Sequence, residues 1–527
     1  MSSPSTARSS GLRSPLRLVH SHTPKFTRGK KVAILVVAVL VIGLLVVLYS
    51  RIWPYSRESV VQDLAEAADS TVTIQSFHKT YMPPGCVIYG VQFEHGAEHF
   101  KLITIQKLII QGSYLGILRR HVSRITAVGA KVFIPPFGSN PTFRTQHSKT
   151  VIDEIVADGS SVEFEPETPN KKPVIFEVHE ALLRDVRWAA PINYRLNLHN
   201  PEPPGELSVA GKFGGWTTGH PGDTPLSGDY TFDHADLSVY GGIAGILSSK
   251  GRFGGVLQHV NISGTTDVPD FEVTSGGHKV RFDTKFDAYV DATHGDTFLN
   301  RVEAHWGRTT LLAHGKVAKF DAHKGKFTDM QLTVPNGRIE DILGLFVSEP
   351  RSPMSGETSI QAHAELPPGH EGFLKKVKLV GHFGIEEGTF SKPTTQRDVE
   401  ELSAGARGQN KEDPETVLTD LRGQVALEGG TAHFSNLTFG VPGARAQMHG
   451  TYSLIDYKID LHGKMSVDTK ISKTASGFKS FLLKMMDPIF KKKKKGEIVP
   501  VHITGTYHKP QYGLDLNQPS DQKSSSR

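Results

Sequence analysis

A side-chain rhythm of period two, restarted every few residues for hundreds of residues, limits what this chain can fold into. Thr71 to Phe77, Val87 to Phe93 and Leu102 to Ile110 read as strands, because successive side chains of an extended chain point to opposite faces. In Leu102 to Ile110, strict alternation puts Ile103, Ile105 and Ile109 on one face and Leu102, Thr104, Leu108 and Ile110 on the other. Both faces are apolar, as in a strand covered on two sides. The later runs meet turns rich in Gly, Pro, Asn and Asp, and many end in an apolar-x-Gly triplet, such as Val209-Ala-Gly211, Ile262-Ser-Gly264 and Met448-His-Gly450. Glycine beside a strand permits a bend, a bulge or close backbone approach. Repeated along a chain, it suits a curved sheet. The expected fold is mainly β, with a long twisted, curved sheet forming a groove or partly open barrel, and a few short helices. Some 20 strands side by side, at about 4.8 Å each, would extend about 96 Å.

The pattern breaks at Pro135 to Lys149, Glu165 to Lys172 and Pro393 to Glu415, which read as loops, with a short helix over Asp398 to Ala404. Glu58 to Ala68 places Val60, Val61, Leu64 and Ala68 on one helical face. The expected segments are a basic disordered tail (1–31), an apolar helix (32–49), an N-terminal β region (50–139), a central β-rich region (140–370), a C-terminal β region (371–516) and a polar tail (517–527).

Val32 to Tyr49 is an uncharged run of 18 residues that includes Leu35, Leu40, Leu44 and Leu48, with Trp53 just beyond. A helix of that length rises about 27 Å, enough to cross a hydrocarbon core. The first 31 residues carry seven of the 60 basic residues and no acid, which leaves 53 basic against 54 acidic in the rest. The basic flank places the N-terminus in the cytoplasm and the body across the membrane. The near-neutral body argues against a nucleic-acid face. One cysteine, Cys86, excludes an intramolecular disulfide, a Cys-based zinc finger and a Cys-ligated iron–sulfur cluster.

No motif makes a convincing catalytic site, and no cofactor is expected. His95-Gly-Ala-Glu98-His99 matches H-x-x-E-H, but that zinc chemistry needs a helix, and Gly96 between two strand-like runs points to a turn. The 25 histidines are mostly isolated, beside turn glycines or in the polar phase of a strand. They read as surface positions. Late in the chain, Phe478, Phe481, Leu482, Met485, Met486 and Ile489 recur at helical spacing before Lys491, Lys492, Lys493, Lys494 and Lys495. Such a helix can lie on an anionic membrane surface or cap the end of a sheet.

Together these residues resemble the AsmA family of bacterial envelope proteins. The match runs through Tyr81 to Gly85, Val91 to Gly96 and Val128 to Pro136, and through Leu421 to Asp468 and Ile498 to Gly513, where Gly505-Thr506 precedes Pro510. The resemblance implies a periplasmic β body tethered to the bacterial inner membrane by one span, without enzymatic activity, acting in outer-membrane biogenesis. Large relatives resemble bridge-like lipid-transfer proteins, which implies phospholipid as cargo and other envelope proteins as partners. Ile103, Ile105 and Ile109 are the expected groove residues. The alternatives are a non-catalytic assembly scaffold and, on the His95 motif, a metal-dependent envelope hydrolase.

Overall fold

The computed structural model describes residues 55–95, 100–119, 121–135, 150–165, 172–187, 190–215, 217, 220–274, 276–319, 325–347, 350–369, 371–391, 419–441, 444–467, 498–507 and 509–514. The run Val32 to Tyr49 with Trp53, the Asp398 helix and the Phe478–Lys495 segment lie outside these residues. Among the described residues no helix is long and apolar enough to cross a membrane.

Helix α1 (Arg57–Ala68) precedes β1 (Thr71–Tyr81), β2 (Pro84–His95) and β3 (Phe100–Gly112). A short helix, α2 (Tyr114–Arg119), leads into β4 (His121–Ile134) and β5 (Val151–Phe164). Then come β6 (Val174–Val186), β7 (Ile192–Pro201), β8 (Pro204–Phe213), β9 (Pro225–Asp236), β10 (Ile243–Ala244), β11 (Ile246–Val256), β12 (His259–Val273), β13 (Val280–Asp291), β14 (Asp296–Trp306), β15 (Thr309–Lys319) and β16 (Lys326–Arg338). Helix α3 (Ile339–Gly344) precedes β17 (Met354–Leu366), and α4 (Phe373–Lys376) precedes β18 (Lys378–Phe390). The last strands are β19 (Thr419–Glu428), β20 (Thr431–Val441), β21 (Ala444–Ser453), β22 (Lys458–Val467), β23 (Ile498–Thr506) and β24 (Lys509–Leu514).

These strands form one long, curved, open sheet of 24 strands. Nearly every strand pairs with the next in sequence, and β10 alone sits aside, on the far end of β12. The other 23 extend about 105 Å along the hydrogen-bonding direction at about 4.8 Å each. The pairing is antiparallel throughout except for β4 and β5, which run parallel with His121 beside Val151. Parallel neighbours need a crossover, and the segment 135–150 joins them. The helices are few and sit at the strand ends, so the sheet itself carries the fold.

Between β1 and β6 the expected alternation is broken. After Pro84 and Gly85, the buried residues in β2 are Cys86 and Ile88, then Val91 and Phe93, a step of three in the middle. The step recurs in β3, where Ile105, Leu108 and Ile110 are buried, and in β4, where Ala127 and Ala130 are. Its cause is a line of left-handed glycines in register: Gly90 (φ 63°), Gly129 (φ 62°) and Gly159 (φ 54°), with Gln106 between the first two. At a left-handed residue the pleat is interrupted and the in–out order restarts, much as at a bulge. Ile105 therefore joins Leu108 and Ile110 on the buried side and does not share a side with Ile109, which is half-buried. This corrects the strict alternation read from the sequence.

Candidate functional site

Residues directly opposite in a ladder share a face, so the register can be followed from strand to strand. One such row is Leu196, Val209, Tyr230, Gly251, Gly264 and Phe286. From Phe286 the register passes to Val302, Ala313, Leu332, Ala362 and Gly381. The row continues through Val425, Phe434 and Gly450 to Leu461, Ile503 and Tyr512. From β7 to β24, none of these register-linked positions bears a charge. The polar groups among them are hydroxyls and one amide. Thr266 and Thr284 pair at 2.7 Å, and the Tyr230 hydroxyl meets Ser249 at 3.1 Å.

The opposite face is charged. Lys285 faces Glu303, Asp287 faces Arg301, and Asp329 faces Lys316. His199, His363, His449, His462 and His502 lie on this face, and His363 reaches Asp329 at 2.7 Å. Among the described residues no group of His, Cys, Asp and Glu is arranged to hold a metal. His95 ends β2 with Nδ1 2.6 Å from the Asp69 carbonyl oxygen, while Glu98 and His99 lie outside the described residues. Glu206 sits between His199 (2.9 Å) and His179 (3.2 Å) on the charged face. The His199 hydrogen bond holds its carboxyl below the usual range.

Glycine and aromatic residues shape the apolar face together. The Gly211 backbone approaches its neighbour so closely that a Cβ there would lie 1.9 Å from the Ser227 carbonyl oxygen. A Cβ at Gly251 would lie 2.9 Å from the Tyr230 ring, and one at Gly264 would lie 3.2 Å from the Phe286 ring. Aromatic side chains thus cover the glycines, as they do in strongly bent sheets. Most residues of this face on β7 to β11 are half-buried, so side chains of the sheet leave them partly open. Burial pushes the phenol of Tyr194 on β7 up to about 12, and it does the same to Tyr452 on β21.

Part of the apolar face is roofed. Phe271, Phe282 and Trp306 stack, with centroids 4.9 and 5.7 Å apart, and α3 and the turn after it bring Ile342, Leu345 and Phe346 onto them. Helix α3 is pinned by its own acids. The Asp341 carboxylate accepts from the Arg308 amide (2.7 Å) and the Thr309 hydroxyl (2.9 Å). The Glu340 carboxylate accepts from Arg308, Arg338 and the Gly356 amide, and Trp306 Nε1 donates to the Asp341 carbonyl.

The two edges of strand ends also meet. A Cβ at Gly242, between β9 and β10, would lie 2.4 Å from Phe373 Cβ in α4. One at Gly276, after β12, would lie 3.4 Å from the Phe346 oxygen and 3.6 Å from the Tyr457 hydroxyl, which belongs to the β21–β22 turn. Gly242 and Gly276 stand at one end of the strands, Phe373 and Tyr457 at the other. The sheet therefore coils until opposite edges touch, and beside Phe346 they do so on the apolar side.

Of the residues expected to meet ligand, Ile103 is opposite buried Phe93 and Ile105 is opposite buried Val91. Ile105 is itself buried, whereas Ile103 is half-buried. The more open apolar positions, such as Leu198, Val209 and Phe232, were marked in the sequence only by alternation and nearby apolar-x-Gly triplets. No protein-family model, curated protein or solved structure matches this chain.

Proposed function

We propose that the apolar face is a groove that shields lipid acyl chains from water, and that the chain is an AsmA-like phospholipid carrier or conduit of a bacterial envelope, tethered by Val32 to Tyr49 with its body in the periplasm. The observation that carries this reading is the uncharged face running unbroken from β7 to β24, half-open over β7 to β11 and opposed by a charged face. Acyl chains offer nothing to hydrogen-bond, so a carrier needs area rather than a specific pocket. A phospholipid with about 30 tail CH₂ groups faces about 24 kcal/mol in water, at about 0.8 kcal/mol per group. The hydroxyl pairs Thr266–Thr284 and Tyr230–Ser249 add no fixed charge for the tails to avoid. The 17 strands that bear this face, β7 to β9 and β11 to β24, extend about 77 Å at about 4.8 Å each, room for several lipids in file.

The test is native mass spectrometry of the purified full chain, with phospholipid expected as bound mass. Val209→Asp puts a charge on the half-open apolar face and is expected to remove that mass while the fold persists. Ala210→Asp, on the charged face of the same strand, is expected to keep it. A chain that carries no lipid, or a Val209→Asp chain that carries as much as Ala210→Asp, would sink the proposal. Ile105 is unsuitable for this experiment, because a charge at that buried position disrupts packing.

A further inference from the structure

Four exposed large apolar residues are gathered in one place. Met82 is 88 % exposed and Leu115 72 %, the two highest values for large apolar residues among the described residues, and they are joined by Tyr81 (53 %) and Tyr114 (51 %). All four lie at one corner. Tyr81 and Met82 form the β1–β2 turn, and Tyr114 and Leu115 open α2 after β3. The two tips are fastened side by side, since the Tyr114 hydroxyl donates to the Tyr81 carbonyl at 2.6 Å and Gly85 pairs with Gln111 just behind them. The Ser113 hydroxyl accepts from the Gly116 amide at 2.9 Å and turns α2 outward.

Cations flank the tips along the chain. Residues 79–85 and 111–124 contain Lys79, Arg119, Arg120 and Arg124 and no acid. Lys79, Arg119 and Arg124 are exposed. Neighbouring His121 engages Asp153 of β5, and Arg124 faces Glu154, which leaves Lys79 and Arg119 as the exposed cations beside the tips. A protruding wedge of Tyr, Met and Leu flanked by cations fits a surface that is apolar beneath and anionic above. Aromatic and aliphatic side chains settle at the acyl boundary while Lys and Arg reach the headgroups.

We propose that the paired tips Tyr81–Met82 and Tyr114–Leu115 dock into an anionic lipid bilayer surface. This stands apart from whether the apolar face carries lipid, since a scaffold could dock in the same way.

The test uses the full chain in phosphatidylcholine vesicles with and without phosphatidylglycerol. Met82→Cys or Leu115→Cys carries an environment-sensitive fluorophore. The native Cys86 is buried, and burial pushes its thiol up to about 12, so the label goes to the introduced site. With anionic lipid, labels at both tips shift to the blue and lose emission to nitroxide-bearing acyl chains. A label at Val380, which is 63 % exposed on the charged face, stays in water. Neutralisation, Lys79→Gln or Arg119→Gln, weakens the docked state about five-fold each. Tip labels as wet as the Val380 label would overturn the proposal, because a tether alone leaves them so. Shielding that needs no lipid and grows with protein concentration would overturn it too, by making this corner a contact between copies.

Discussion

At the scale of single residues, the apolar face depends on glycines whose missing Cβ is occupied by something else. Gly211 and Gly241 separate two reasons for a glycine. At Gly211 a Cβ meets neighbouring backbone, whereas at Gly241 (φ 61°) it meets open space. Gly241→Ala is expected to cost about 1 kcal/mol from left-handed strain alone. Gly211→Ala is expected to cost about 2–3 kcal/mol, because the strands must part. Urea midpoints of the full-length variants test the order, and an equal loss would remove the crowding argument. The triplet Val209-Ala-Gly211 was legible in the sequence as a bend signal, and alternation correctly separated apolar from charged faces beyond β7. The restart at Gln106 was not legible. A glycine does not declare which side of the φ map it will occupy, and the line of Gly90, Gly129 and Gly159 exists only once register sets them side by side.

At the scale of elements, α3 holds its place through two carboxylates rather than through its own length of six residues. Asp341→Ala removes the acceptor for the Arg308 amide and the Thr309 hydroxyl and is expected to loosen the roof by about 1–3 kcal/mol. The readout is amide exchange at His278, whose N–H donates to the Gly344 carbonyl; unchanged protection would show that the apolar contacts suffice. Acid should act in the same direction. Burial raises the carboxyl pKa of Glu340, but its bonds to the backbone, Arg338 and the Gly356 amide outweigh this and leave it lowered. A depressed folded value means a contribution that is complete above the unfolded pKa and is lost as pH falls through the folded one. Exchange at His278 should therefore accelerate below the ordinary glutamate range, and Glu340→Gln should flatten that dependence. The parallel β4–β5 pair was hidden from sequence reading for a different reason. Alternation looks the same whichever way a strand runs, and only the 135–150 interruption hinted that the hairpins had stopped.

At the scale of the whole sheet, each strand rests mainly on its two neighbours, as in repeat architectures where stability is a sum of local terms. Edge-to-edge contacts at Gly242–Phe373 and Gly276–Tyr457 add ties between strands far apart in sequence. Hydrogen exchange is expected to be slowest from β12 to β17, within the tied stretch, and fastest at β24, beyond which no described strand pairs. Uniform protection across the sheet would mean that it opens as one unit. The ties have a further consequence, because at those two points they bridge the mouth of an otherwise open, coiled stretch. A long, thin molecule lying beneath the bridges cannot be lifted off sideways there and can only slide out by an end. Its residence time should then rise with its own length, independently of how tightly any one part of it is held.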